Sequence, residues 1–141
     1  MKTIIATIKP HHLNAIRSGK KTIEIRKVAI KFPFRVLCCE SGSGGQIKAE
    51  FVCDSVLPVI VFENGTIQHW NYYNLERAQI TYEEMARYIG HGKVGYAWRI
   101  TNMIDYCSTK DHRVRNISEF GLKRPPQSWQ YLKIEGGASS E

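Results

Sequence analysis

The sequence predicts an α+β, mainly β fold: a compact barrel or strongly bent mixed sheet of about six strands, with two or three short helices between them. Three observations predict it. Segments with apolar residues at every second position, the pattern of half-buried strands, recur along the chain. Clear helix starts occur at only two places, Pro10 and Thr81. The strands are not separated by regular crossover helices, which argues against a doubly wound parallel sheet. At 141 residues the chain has the length of one domain able to bury a real core.

Residues 3–8 are short, apolar and β-branched, as a first strand should be. Pro10 suits the first turn of a helix, where its missing N–H would lack a partner anyway. Leu13 and Ile16 supply that helix with an apolar face, and Gly19 offers its stop. Residues 21–27 alternate as a second strand, with Ile23 and Ile25 toward the core and Thr22, Glu24 and Arg26 on the other face. Residues 34–40 and 46–56 read as a hairpin closed by the five-residue loop Ser41-Gly42-Ser43-Gly44-Gly45. No Lys-Ser/Thr helix start follows these glycines, so they form a hairpin tip and not a P-loop. Residues 59–62 suggest a short strand or an irregular piece, and residues 69–79 an irregular or partly helical one.

Thr81 followed by Glu84 reads as a capping box opening a helix, with Met85, Tyr88 and Ile89 on its apolar face and Gly90 or Gly92 at its end. Residues 95–104 alternate again, with Tyr96, Trp98 and Ile100 on one face. A short turn is expected at 117–121, a rigid link at Pro125-Pro126, and a last strand at 129–134. The reading gives one domain over 1–135 and a disordered tail over 136–141, which has no apolar anchor.

Composition narrows the class. Hydrophobic residues make up 43% and charged residues 23%, ordinary for a globular protein. No apolar run approaches a membrane span, and the N-terminus meets Lys9-Pro10-His11-His12 too soon for a signal peptide, so the expected location is cytoplasmic. Cys38, Cys39, Cys53 and Cys107 show no metal-ligand spacing and read as reduced thiols. Cys38 and Cys39 are neighbours, so on a strand they point to opposite faces. The formal net charge is +7. It gathers in two blocks, residues 17–35 and 110–124, separated by an acidic stretch, and is compatible with a polyanionic partner or with ordinary solvated surface.

The strongest local signal is Gly19-Lys20-Lys21-Thr22-Ile23-Glu24-Ile25-Arg26, a G-x-K-x-x-E-x-R pattern after a strand and a short helix. In that position it resembles the signature of ASCH domains. Ile8-Lys9-Pro10, the strand from Gly95 through Trp98 and Arg99, and Phe120-Gly121 with Pro125-Pro126-Gln127-Ser128-Trp129 are similar to features of ASCH proteins from bacterial and prophage genomes. The resemblance covers nearly the whole chain. It implies a PUA-like β-barrel with a cleft beside the barrel where the motif residues gather, and RNA as the general ligand class. Small relatives hydrolyse N4-acetylcytidine and others are described as ribonucleases. The amidohydrolase relatives use a Lys, a Thr and a distant Glu. Lys21 matches the first, Glu24 stands in place of the Thr, and Glu76 is available only out of register.

The residues themselves suggest how such a cleft would work. Glu24 and Arg26 lie two apart on a strand and emerge on one face. An arginine there presents a planar fork to phosphate or a base edge, and Glu24 can orient it or accept from an exocyclic amine. Lys21 enters from the turn after Gly19 as a point charge. Burial would lower its pKa and make it a base or nucleophile. Lys9 and Lys27 join these three as ligand contacts, and Trp70, Tyr72 and Tyr73 are candidate base-stacking residues. Trp98 and Trp129 read as core. His11 and His12 suit phosphate binding or proton transfer, or simply an exposed helix turn.

Two readings follow. One is an RNA-, nucleotide- or nucleoside-binding module; the other is a hydrolase of a modified nucleoside or of RNA, with Lys21 and Glu24 as its catalytic pair. Neither calls for a cofactor or a metal, and the sequence sets no oligomeric state.

Overall fold

A computed structural model describes residues 1–133, apart from the Tyr72 side chain. Ile134, at the end of the expected last strand, and the tail over 136–141 lie outside the described residues. The elements in chain order are β1 (Lys2–Ile8), α1 (Pro10–Arg17), β2 (Ile23–Arg26), β3 (Phe34–Glu40), β4 (Gln46–Ile60), α2 (Tyr72–Ala78), α3 (Tyr82–Ile89), β5 (Val94–Asp105), β6 (Arg115–Asn116), a 3-10 turn (Ile117–Phe120) and β7 (Trp129–Tyr131).

The strands form one seven-stranded mixed sheet in the order β2-β5-β4-β3-β1-β7, with β6 paired to β4 off that path. Only β1 and β3 run parallel; the other pairs are antiparallel. The α+β class is as expected, but the sheet is not closed into a hydrogen-bonded barrel. Its two edges, β2 and β7, are four and three residues long and share no ladder.

Local chemistry explains most boundaries. Pro10 opens α1, Ser18 caps it, and Gly19 turns the chain at a φ of 82° that favours glycine. The β3–β4 hairpin turns through residues 41–45, as its glycines predict. Thr81 and Glu84 make the reciprocal capping box expected of α3, and Gly90 ends it.

β4 runs on to Ile60, well past the Val56 at which the sequence reading stopped it. Pairing with β3 ends at Cys53, so beyond that point β4 has β5 on one side only, and Pro58, which lacks an N–H, has no second ladder to interrupt. Register shifts at Glu50/Val52 and Cys53/Val56 bend this strand so that it serves both ends of the sheet.

Three apolar clusters cover the two faces. Ile4, Ala6, Ile8, Val36, Cys38, Phe51 and Trp98 form the inner core with Leu13 and Ile16 of α1. Ile25, Val59, Val61 and Ala97 pack beneath Met85 and Ile89 of α3 and Ala78 of α2. Ile5, Leu37, Cys39 and Ile47 pack with Tyr106 and Ile117. Cys38 and Cys39 therefore do face opposite sides, and both are buried. All four cysteines are free thiols, with Cys107 exposed.

Candidate functional site: a buried Lys–Glu–Arg trio at the open seam

The second strand carries isoleucines on one face and Glu24 and Arg26 on the other. Ile25 goes to the cluster under α2 and α3, as expected of an apolar residue. The polar face is not solvated. Glu24 pairs with Trp98 and Arg26 with Tyr96 on β5, so both side chains enter the inner face of the sheet beside the main core. Arg26 is 6% exposed, Glu24 7% and Lys21 2%. Buried charges on this scale require partners.

Arg26 has them on three sides. Its Nε donates to Glu24 Oε2 at 2.9 Å, one terminal nitrogen to Ser128 Oγ at 3.1 Å, and the other to the Thr7 carbonyl at 3.0 Å. Thr7 lies on β1 and Ser128 immediately precedes β7. Arg26 thus ties edge strand β2 to the opposite edge of the sheet, across the seam that no backbone ladder closes. Its guanidinium also lies 5.9 Å from the Trp98 ring centre. Its guanidinium is thus engaged by protein groups on three sides, while the side chain still lines a cavity at that seam.

Lys21 is held from below. Its backbone N–H donates to the Ala15 carbonyl at 3.0 Å, and that of Thr22 to the Arg77 carbonyl at 2.8 Å. The amine donates to the Ala78 carbonyl at the C-terminal end of α2 and stands 3.6 Å from Glu24 Oε1. A helix C-terminus, rich in unpaired carbonyls, is a favourable seat for a cation.

Burial pushes the Lys21 ammonium below its ordinary pKa, against the pull of Glu24. Burial acts to raise Glu24, but the charges of Arg26 and Lys21 outweigh it and hold the carboxyl below the usual range. His12, on the first turn of α1, is pushed down to about 4 by burial and by the charge of Lys21, so it is neutral at neutral pH.

These groups line a cavity of about 770 Å³ at the seam, within the roughly 300–1,000 Å³ of typical ligand sites. Its walls come from the end of β1 (Thr7, Ile8, Lys9), from His12, from residues 24–28 with Lys21, from Ile80, Glu84, Arg87 and Tyr88, and from Gln127, Ser128 and Trp129. Five cationic side chains line it against two carboxylates, Glu24 and Glu84. Lys27 sits over the Tyr88 ring at 4.8 Å from its centre.

The fold therefore brings Lys9, Lys21, Glu24, Arg26 and Lys27 to one cavity. It does not bring the proposed stacking residues there. Trp70 packs against the cluster beneath α2 and α3, Tyr73 is 65% exposed away from the cavity, and the Tyr72 side chain lies outside the described residues. The cavity's aromatic walls are instead Trp129, which the sequence reading placed in the core, and Tyr88 of α3. Trp98 is core, as expected. Glu76 is exposed on α2, and Glu84 is the second carboxylate of the cavity. Part of the charge of the two basic blocks is taken up in ion pairs: Arg17 pairs with Asp105, Arg35 with Glu50, and Arg113 and Arg115 with Glu119. No helix among the described residues is long and apolar enough to cross a membrane.

No protein-family model matches the chain. No curated protein matches it either. Solved structures do. The crystal structure of ASCH from Zymomonas mobilis superposes with a TM-score of 0.69 at 20% identity, over 95% of this chain and 90% of that one. A single-substitution mutant of the same protein gives 0.69 at 19% identity, over 94% of this chain and 89% of that one. The chain thus shares its overall fold with these ASCH structures, as the resemblance of residues 19–26 led one to expect.

Proposed function

We propose that the seam cavity binds a nucleotide unit, either of single-stranded RNA or of a free nucleotide. The observation that carries this reading is the composition of one half-open cleft: a cationic lining, two aromatic walls and a buried ionised carboxylate. Lys9, Lys27 and Arg87 suit phosphate oxygens, while Trp129 and Tyr88 offer surfaces for a base. Glu24 keeps an acceptor lone pair on each oxygen beyond those engaged by Arg26 and Lys21, enough to take an exocyclic amine. Lys21 retains donor capacity beyond its bonds to Ala78 and Glu24.

A hydrolase reading has one specific observation behind it, the desolvated Lys21 amine beside a carboxylate. Such an amine can act as a base or stabilise an oxyanion. The other carboxylates point away from turnover. Glu24 and Glu84 both lie below the ordinary carboxylate range, which makes each a weak base near neutral pH. Binding is therefore the primary function proposed.

The test is a titration of labelled single-stranded RNA and of a nucleoside monophosphate at several salt concentrations. Lys21→Met should abolish binding. Lys9→Ala, Lys27→Ala and Arg87→Ala should each weaken RNA binding and lower its log–log salt slope by about 0.7. Absence of binding at low salt, or a Lys21→Met variant that binds as tightly as the wild type, would contradict the proposal. Cleavage of the RNA or of N4-acetylcytidine that disappears in Lys21→Met would put the hydrolase reading in its place.

A further inference from the structure

Adjacent residues on a helix ordinarily diverge. On the first turn of α1, however, the His11 and His12 rings lie 4.1 Å apart between centroids. Glu84, on the first turn of α3, completes a group with them. One nitrogen from each histidine and one carboxylate oxygen all fall within 4.8 Å of one another. Nothing in the sequence spacing shows this, because α1 and α3 are far apart along the chain.

Two details separate the cluster from a chance meeting of polar groups. His12 Nδ1 is buried without a hydrogen-bond partner, and such atoms in folded proteins ordinarily have one. Glu84 Oε1 is engaged by the Thr81 backbone N–H at 3.1 Å, which fixes the carboxylate and leaves its other oxygen available.

We propose that His11, His12 and Glu84 form a three-ligand site for a transition-metal dication of the zinc class, set in the wall of the seam cavity. Two imidazoles and one carboxylate are a donor set that such ions take with bonds of about 2.0–2.2 Å. Around an ion at that distance, donors lie roughly 3.4 Å apart, which small side-chain rotations of His11 and Glu84 can reach. Imidazole selects zinc, cobalt, nickel or copper over magnesium and calcium. The surroundings reinforce that choice, since the positive ends of two helices and nearby Lys21 oppose an ion held by charge alone. His12 and Glu84 both line the cavity, so the ion's remaining coordination position is open to water or to a phosphate oxygen of a bound ligand. The site stands on its own geometry, whether or not the cavity takes a nucleotide.

The experiment titrates the untagged full chain with Co²⁺, followed by visible absorption and by equilibrium dialysis, and repeats the dialysis with Zn²⁺. One equivalent should bind with the spectrum of a nitrogen–oxygen site, and excess Mg²⁺ should not displace it. His11 is exposed, so His11→Ala leaves the fold intact. Glu84→Gln keeps the capping acceptor while removing the charge. Each should weaken binding by at least about tenfold, since even outer-shell partners are commonly worth 10–100-fold. Cys107→Ser, at the exposed thiol, should change nothing. Absence of stoichiometric binding would overturn the proposal. So would wild-type affinity in either ligand variant, or binding that depends on Cys107.

Discussion

Glu24 sits between two cations, with Arg26 at 2.9 Å and Lys21 at 3.6 Å. Removing a buried charge from water is costly, so this carboxylate is retained only because both partners and the Arg26 contacts to Thr7 and Ser128 are in place. The arrangement has a consequence for pH. The folded-state pKa of Glu24 is depressed, so the unfolded chain binds its proton first as pH falls. The stability it supplies is fully present above the ordinary value of 4.5 and is lost as pH drops through the lower folded value. Lys21 acts in the same sense at the other end of the scale. Its folded value is lowered, so the unfolded chain holds the extra proton between that value and the ordinary 10.5, and stability rises with pH across that window. Urea titrations of wild type and Glu24→Gln from pH 7 to pH 3 should show a stability loss below about 4.5 that is steeper in the wild type. Parallel curves would mean that Glu24 titrates alike in both states and is not clamped.

At the scale of elements, α3 deserves comparison with its sequence signal. Thr81, Glu84, Met85 and Ile89 identified it correctly, because capping and a 3.6-residue apolar stripe are local properties. Its role as a cavity wall was not legible, because Glu84, Arg87 and Tyr88 reach the site only through the packing of α3 on β5. That packing depends on Gly95. A Cβ there would lie 2.8 Å from Ile89 Cγ1, so the Ile89 side chain, or the helix that carries it, would have to shift. Gly95→Ala should cost about 1–3 kcal/mol in chemical denaturation and loosen ligand binding through α3; an unchanged stability would contradict this packing account. α2 was only half legible, as the partly helical alternative for residues 69–79, for a related reason. Its capping box is Asn71 with Asn74, a pairing that lacks the usual Ser/Thr and Glu pattern. β4 was read as ending at Val56, with residues 59–62 as a separate strand or irregular piece, although pairing with β5 carries it on to Ile60. Trp129 was read as core from its strand pattern, and it does pack against the inner core, but from an edge strand it also lines the cavity. The motif at residues 19–26 stood out as a candidate site through its resemblance to the ASCH signature, not through its residue types alone. The acceptors that make Arg26 a clamp, the Thr7 carbonyl and Ser128, are long-range partners that no local pattern announces.

At the scale of the whole molecule, the sheet curls until its short edge strands face each other but stops before a ladder joins them. A closed barrel would bury the seam in backbone hydrogen bonds. Here side chains close it, and the gap they leave is the cavity. The inner core of Phe51, Trp98 and their neighbours is buried beside it, while Lys9 after β1, the cations in and around β2, and Arg87 of α3 line the opening. The proposed nucleotide would enter at this seam. An amide-resolved NMR titration of the ¹⁵N-labelled chain with a short single-stranded RNA at low salt would test this. Shifts should concentrate at residues 7–9, 12, 21–28, 84–88 and 127–129, the segments that line the cavity. Shifts confined to the Arg113, Arg115 and Glu119 surface, or no shifts at all, would contradict it.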